Sequence, residues 1–168
     1  MAERTLWYAA WTGDVQLTRE LLAEGADPNQ SSHGKTPLME AVDEPGEFFD
    51  DDHLTIAQWL LAAGANVGAR DVQGWTALHY AARAEARAAE LLIASGADPN
   101  APADDGTTPL HQAAVAGNAE VVKALIAAGA DILRPTATGL TALAAARQEH
   151  SSDEAPELFR LLDTESPA

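Results

Sequence analysis

The side chains in this 168-residue chain whose types could do chemistry are five histidines, His33, His53, His79, His111 and His150, and the acidic run Asp50-Asp51-Asp52 that leads into His53. Imidazoles and carboxylates bind zinc when several converge on one point at about 2 Å. His79 and His111 hold equivalent places in two similar segments, and packed helices lie about 8–10 Å apart, so this pair is not expected to share an ion. Consecutive acids point in different directions, and the run lacks the spaced oxygen ligands and glycine of a calcium loop. A helix beginning near His53 accounts for them as well, because negative side chains suit that end of its dipole. His33, in a loop, and His150, in a terminal insertion, are expected to be solvated. No metal ligand and no cofactor is assigned.

Catalytic patterns are equally thin. Ser31-Ser32-His33 is adjacent in sequence but belongs to a loop surrounded by water. The chain has no Gly-x-Ser-x-Gly turn, phosphate loop or dinucleotide fingerprint. It has no cysteine, which removes disulfides, thiolate metal sites and cysteine nucleophiles. No catalytic residue and no enzyme activity is expected.

The elements that would position these groups come from a repeat. Thr76-Ala77-Leu78-His79-Tyr80-Ala81-Ala82 recurs as Thr108-Pro109-Leu110-His111-Gln112-Ala113-Ala114, with weaker copies at Thr36-Pro37-Leu38-Met39 and Thr141-Ala142-Leu143-Ala144. A closing motif keeps the same beat in Gly25-Ala26-Asp27, Gly64-Ala65-Asn66, Gly96-Ala97-Asp98 and Gly129-Ala130-Asp131. Both markers advance by 32 residues and then by 33 between their second, third and fourth copies. Thr-Pro places a capping hydroxyl before a ring whose fixed φ suits the first helical position, so Thr36-Pro37 and Thr108-Pro109 predict helix starts. Ala113-Ala114 keeps that helix thin, Gly117-Asn118 turns the chain, and Glu120–Ile126 supplies a second helix with an apolar stripe. Gly129 then ends it in a left-handed conformation.

A period of about 33 with this signature resembles the ankyrin repeat. The resemblance covers nearly the whole chain and implies an all-α solenoid of about five helix-turn-helix repeats joined by β-hairpin-like loops. The units read as about 4–30, 31–69, 70–102, 103–135 and 136–165 of one domain, the first and last being caps. It also implies that the motif histidine ties its own helix start to neighbouring backbone. Two departures stand out. The third repeat has Ala84-Glu85 where an inter-helix glycine is expected, and the second is longer, with 28 residues from Thr36 to Gly64 against 21 from Thr108 to Gly129. The extra residues lie within Glu44–Asp52.

Composition narrows the partner. There are 26 acidic and 10 basic residues, a formal net charge of −16. Such a surface repels phosphates, which disfavours nucleic acid and anionic membrane and favours a protein with a basic face. The charge could equally serve solubility alone. No basic stretch followed by an apolar run opens the sequence and no membrane-length apolar segment occurs, so a soluble, cytoplasmic protein is expected, monomeric when free.

With the recurrent residues used by the fold, the irregular ones remain for binding. The resemblance implies contact through loop tips and the exposed ends of first helices. In this sequence those are Trp11 and Thr12; Ser32, His33, Lys35, Asp43 and Glu44; Val72, Gln73, Trp75 and Arg83; Asp104, Asp105, Thr107 and Val115; and Ala137, Thr138 and Leu140. Trp75, with Trp11 nearby in the stack, is the first-choice anchor, because tryptophan is enriched among residues that dominate interface energy. Packing within its own loop is the alternative for Trp75, and membership of the cap for Trp11. The insertion is the second candidate: six of the eleven residues from Asp43 to His53 are acidic, and Phe48-Phe49 sits before Asp50, Asp51 and Asp52, either tucked in or held out for a partner. The leading function is a non-enzymatic binding module for a basic protein, one concrete form being an inhibitor or immunity protein. A self-stacking scaffold and, less favoured, a metal protein or enzyme are the alternatives.

Overall fold

The computed structural model describes residues 4–43, 51–84, 86–151 and 153–163. Among these residues the chain forms ten helices: α1 (Leu6–Thr12), α2 (Val15–Ala23), α3 (Pro37–Val42), α4 (Asp51–Ala62), α5 (Ala77–Ala81), α6 (Ala86–Ala94), α7 (Pro109–Val115), α8 (Ala119–Ala127), α9 (Ala142–Glu149) and α10 (Pro156–Leu162). They pack as five pairs in chain order. The short odd-numbered helices stack on one another in an inner layer, and the even-numbered ones do so in an outer layer. This is the all-α repeat architecture that the periodicity predicts.

Local chemistry sets each boundary. Thr36 and Thr108 are N-caps in extended conformation with Pro37 and Pro109 at the next position, as Thr-Pro implies. Asn118 caps α8 by accepting from the Val121 N–H at 3.2 Å. The acidic run does begin a helix, two residues ahead of His53: Asp51 and Asp52 lie in the first turn of α4. Glu44, Phe48, Phe49 and Asp50 lie outside the described residues.

One leucine per unit makes the core continuous. Leu21, Leu60, Leu92 and Leu125 each stand four residues before a closing glycine, and all are buried. Leu38, Leu78 and Leu110, two residues after the leading threonine, are buried from the inner layer. Ala81, Ala82, Ala113 and Ala114 are fully covered, which lets successive inner helices approach closely.

The motif histidines are structural bridges. His79 accepts the Thr76 N–H on Nδ1 at 3.0 Å and donates from Nε2 to the Thr107 carbonyl, one repeat onward, at 3.1 Å. His111 repeats the arrangement with Thr108 at 3.2 Å and the Leu140 carbonyl at 3.0 Å. Both ring nitrogens are therefore engaged, one within the repeat and one across to the next. His150, expected to be solvated, is instead half-buried: its Nε2 donates to the Val115 carbonyl at 2.9 Å, satisfying an acceptor that the end of α7 leaves over. Asn118 does the same for the Ala84 carbonyl at 3.2 Å.

Between each outer helix and the next inner one the chain makes a projecting finger. Residues 71–75, 103–107 and 136–140 form three-residue loops, closed by bonds such as Asp71 N to the Trp75 carbonyl at 2.9 Å. The finger at 32–35 is tighter, with Ser32 and Lys35 exchanging both main-chain bonds around His33 and Gly34, which both have positive φ. Neighbouring fingers are joined by Asp104 N to the Gln73 carbonyl at 3.0 Å and by Ala137 N to the Asp105 carbonyl at 2.8 Å.

Two glycines separate strain from crowding. Gly129 has φ 91° with open space where a Cβ would stand, whereas a Cβ on Gly106, at φ 81°, would lie 2.8 Å from the Ala137 nitrogen. We expect Gly129→Ala to cost about 1–2 kcal/mol, the left-handed penalty alone. Gly106→Ala is expected to cost clearly more, because the bond from Ala137 must shift; urea denaturation of the two variants measures the difference. A second expectation concerns pH. Burial lowers the proton affinity of His79 and His111 below that of an ordinary imidazole, against the opposing pull of the carbonyls they donate to. The unfolded chain therefore protonates first on acidification. The stability due to these neutral bridges is complete above pH 6.5, the ordinary histidine value, and is lost as pH falls below it toward the lowered folded values. Denaturation midpoints should drop as the pH is taken from above 6.5 to below it. His111→Ala should lower stability by about 1–3 kcal/mol at the higher pH and flatten that dependence.

Candidate functional site

The repeat register lines up irregular residues along one side of the inner helices. Positions four and seven after the leading threonine share a helix face, and carry Glu40, Tyr80 and Gln112 in one row and Asp43, Arg83 and Val115 in the other. In the first repeat Trp11 stands two residues before Gly13, as Val115 stands two before Gly117. Trp11 is 50% exposed and Val115 40%, and both are large apolar groups that the stacking leaves uncovered.

At the first repeat the exposed surface is aromatic. The Trp11 ring stacks on Trp7 with centroids 6.1 Å apart and meets the edge of Tyr8 at 5.9 Å. Trp7 is half-buried and also lies against His33, 4.7 Å between centroids. Trp11 is thus held by its neighbours while half of it faces water.

A charged and aromatic cluster fills the middle. Lys35 pairs with Asp43 and, at 3.4 Å, with Glu40, and its ammonium stands 4.5 Å from the centre of the Tyr80 ring. Burial pulls the Lys35 proton affinity down, but the two carboxylates more than offset it and leave it raised. Burial raises the Glu40 carboxyl above its ordinary range even though Lys35 opposes the shift. The Tyr80 hydroxyl donates to Asp71, and burial together with that bond pushes its pKa upward. Trp75 is half-buried, stacked on the His79 ring at 5.8 Å and tilted against Tyr80 at 5.2 Å. The Arg83 guanidinium lies 6.0 Å from the Trp75 ring and forms no ion pair among the described residues.

Two shallow concavities adjoin this cluster. One of about 300 Å³ is lined by Asp43, Tyr80, Arg83, Ala84, Val115 and Ala116. The other, about 340 Å³, lies between fingers and is lined by Gln73, Trp75, Asp104 and Asp105. Asp104 is paired with Arg70 at 3.0 Å. The Thr107 N–H donates to Asp105 at 2.8 Å and lowers its carboxyl pKa. The arrangement can offer apolar contact, aromatic faces and single charges of both signs.

The structure sorts the expected binding residues. Trp11, Val72, Gln73, Arg83, Asp104, Asp105, Val115, Ala137 and Thr138 are exposed; Lys35, Asp43 and Leu140 are half-buried. Thr107 is a correction: it is only 8% exposed, its N–H is used by Asp105 and its carbonyl by His79, so it belongs to the fold. Leu140 gives its carbonyl to His111. Glu40 and Tyr80, four residues after a leading threonine, were not singled out in the sequence; both are buried, and they support the face from beneath through Lys35 rather than present themselves on it. His33 is exposed, as a loop residue should be. Acidic side chains are spread rather than gathered: Glu20 and Glu24 pair with Arg4, and Asp51 with Arg87, all on the outer layer. Among the described residues, no group of three or more His, Cys, Asp and Glu side chains is placed to share a metal. No helix there is long and apolar enough to cross a membrane.

Comparison with known proteins gives the same repeat. The family model described as ankyrin repeats (3 copies) matches residues 2–71, 49–136 and 87–162. The RelA-associated inhibitor of Mus musculus is 41% identical over 75 residues, which is 44% of this chain and 8% of that protein. An ankyrin repeat protein of Rickettsia felis is 37% identical over 57 residues, 33% of this chain and 24% of its own length. The chain thus spans less than a quarter of either curated relative. With the threonine-led caps, the paired helices and the bridging histidines all in register, the chain belongs to the ankyrin-repeat family.

Proposed function

We propose that this ankyrin-repeat chain is a non-enzymatic protein-binding module that holds its partner along the inner-helix face. The observation that carries the reading is the pair of uncovered apolar groups, Trp11 and Val115, in one register with Asp43 and Arg83 between them. A large apolar side chain held in place and half exposed loses little freedom on association and removes much area from water, which is how interface anchors work. Trp75 contributes through its finger: it shapes the concavity beside Asp104 and Asp105 and supports Tyr80.

The partner's face is read as basic where it meets the second repeat. Asp43 closes α3 and Asp51 and Asp52 open α4, so acids flank both sides of the insertion that also contains Glu44, Phe48, Phe49 and Asp50. The net charge of −16 adds long-range attraction for such a surface. Arg83 makes the middle of the groove locally cationic, so the match is a patterned surface rather than a uniformly basic one. Occupying a partner's basic face can inhibit it, and the name of the mouse relative is that of an inhibitor.

Affinity capture from native lysate, with the full chain as bait, identifies the partner, and binding measurements on the purified pair test the site. Trp11→Ala is expected to weaken binding by over about 1 kcal/mol with the helical circular dichroism intact. Unchanged affinity for Trp11→Ala and Val115→Ala together would remove this face from the site. Raising salt from about 0.05 M to about 0.5 M should slow association, as should neutralising Asp50, Asp51 and Asp52. Equal rates under all these conditions would return the acidity to a solubility role.

A further inference from the structure

Three kinds of hydrogen bond recur between neighbouring repeats. The motif histidine of one donates to the carbonyl before the next leading threonine, as His79 does to Thr107 and His111 to Leu140. Adjacent fingers share a main-chain bond, as Asp104 N does with the Gln73 carbonyl and Ala137 N with the Asp105 carbonyl. An asparagine four residues after the closing glycine clamps the following repeat by two bonds. Asn29 donates to the Gly64 carbonyl at 3.1 Å and accepts the Asn66 N–H at 2.7 Å, and Asn100 treats Gly129 and Asp131 likewise, at 2.8 Å each. The junction of the third and fourth repeats has all three.

Among the described residues, the junction of the second and third repeats has none of them, and the sequence explains each loss. Met39 stands in the histidine position; its sulfur accepts the Thr36 N–H at 3.4 Å but carries no proton to pass to the Trp75 carbonyl. The tight finger at 32–35 places His33 at φ 53°, where the other fingers have a longer loop, and no bond joins His33 to Val72. The asparagine position is Gly68, which has no side chain to clamp with. Among the contacts of the described residues, those seen across this junction are apolar stacking of α3 on α5 and α4 on α6, the Lys35 ammonium over the Tyr80 ring, and the exposed Arg87–Asp51 pair at 2.9 Å. None of these fixes direction as a main-chain bond does, and an exposed pair is weak in water.

We propose that this junction is a hinge, with the first two repeats moving as one stiff body and the last three as another. A repeat array is held by intrinsic terms and nearest-neighbour interfaces, so it parts first at the interface with the fewest constraints. The concavity beside Tyr80 and Arg83 has Asp43 on one body and its other lining residues on the second, so its width follows the hinge angle. A partner seated there would brace the two bodies against each other. The hinge itself does not depend on who that partner is.

The absence of cysteine makes the test direct, since label pairs can be introduced into the full chain without further changes. Gln58, Glu90 and Lys123 are exposed outer-helix residues in identical register, each six before Gly64, Gly96 or Gly129. Spin labels on Gln58→Cys with Glu90→Cys report the proposed hinge, and labels on Glu90→Cys with Lys123→Cys report a fully bonded junction. We expect the first distance distribution to be about twice as wide as the second or more. Gly68→Asn, whose Cβ has ordinary room 3.6 Å from Asn66 Oδ1, should narrow it toward the second by supplying the clamp, and Met39→His should do so by an independent bond. Equal widths in the unsubstituted background would overturn the hinge. So would a wide distribution that neither substitution narrows.

Discussion

A pair of short helices cannot cover its own apolar stripe, and every other feature of this molecule answers to that constraint. Leu60, Leu92 and Leu125 are buried because each lies between one repeat and the next, so no repeat owns a finished core. Close stacking in turn requires the thin Ala81-Ala82 and Ala113-Ala114 faces. It also buries His79 and His111, which must then stay neutral and spend both nitrogens on main-chain partners. The residues most visible as possible catalysts or ligands are those the stacking has already committed.

This explains what could be read from the residues and what could not. The threonine caps, the closing glycines and the alanine pairs are local devices that repeat, so their spacing was sufficient to place nearly every helix. The bridging role implied for the motif histidine held in detail. His150 escaped because it lies in an irregular segment whose position over the end of α7 depends on the cap packing, which no periodic signal announces. Thr107 was misplaced because it counts as a finger residue by register, while its neighbours Asp105 and His79 draw its main chain inward. For the candidate surface, the row seven residues after the threonine was legible; the register also placed the row four residues after it, but the supporting part that Glu40 and Tyr80 play there shows only in their contacts with Lys35.

Charge shows the limit of composition as a guide. The acidic excess is a property of the whole chain, whereas recognition depends on where each carboxylate sits. Much of it faces outward from the second layer or is paired with Arg4, Arg70 or Arg87. The inner face instead mixes a lysine held by two acids, an arginine beside an indole, and uncovered tryptophan and valine. On the proposed binding face, such a mixture would discriminate among partners more sharply than a uniform field, because each mismatched group would be left without a compensating contact.

The short finger at 32–35 also shapes the contour of the rim. With one residue fewer than its neighbours, it leaves Val72 on the next finger 82% exposed, its methyl group standing where a side chain on Gly34 would meet it at 3.3 Å. The row of fingertips therefore has a step after its first member. A ligand running straight along the rim would ride over that step and lose contact on the lower side. One that bends there, or carries a bulky apolar side chain to fill the notch beside Val72, would touch both levels, so if the proposed face extends to this rim, a one-residue difference in loop length sets the curvature a partner would need.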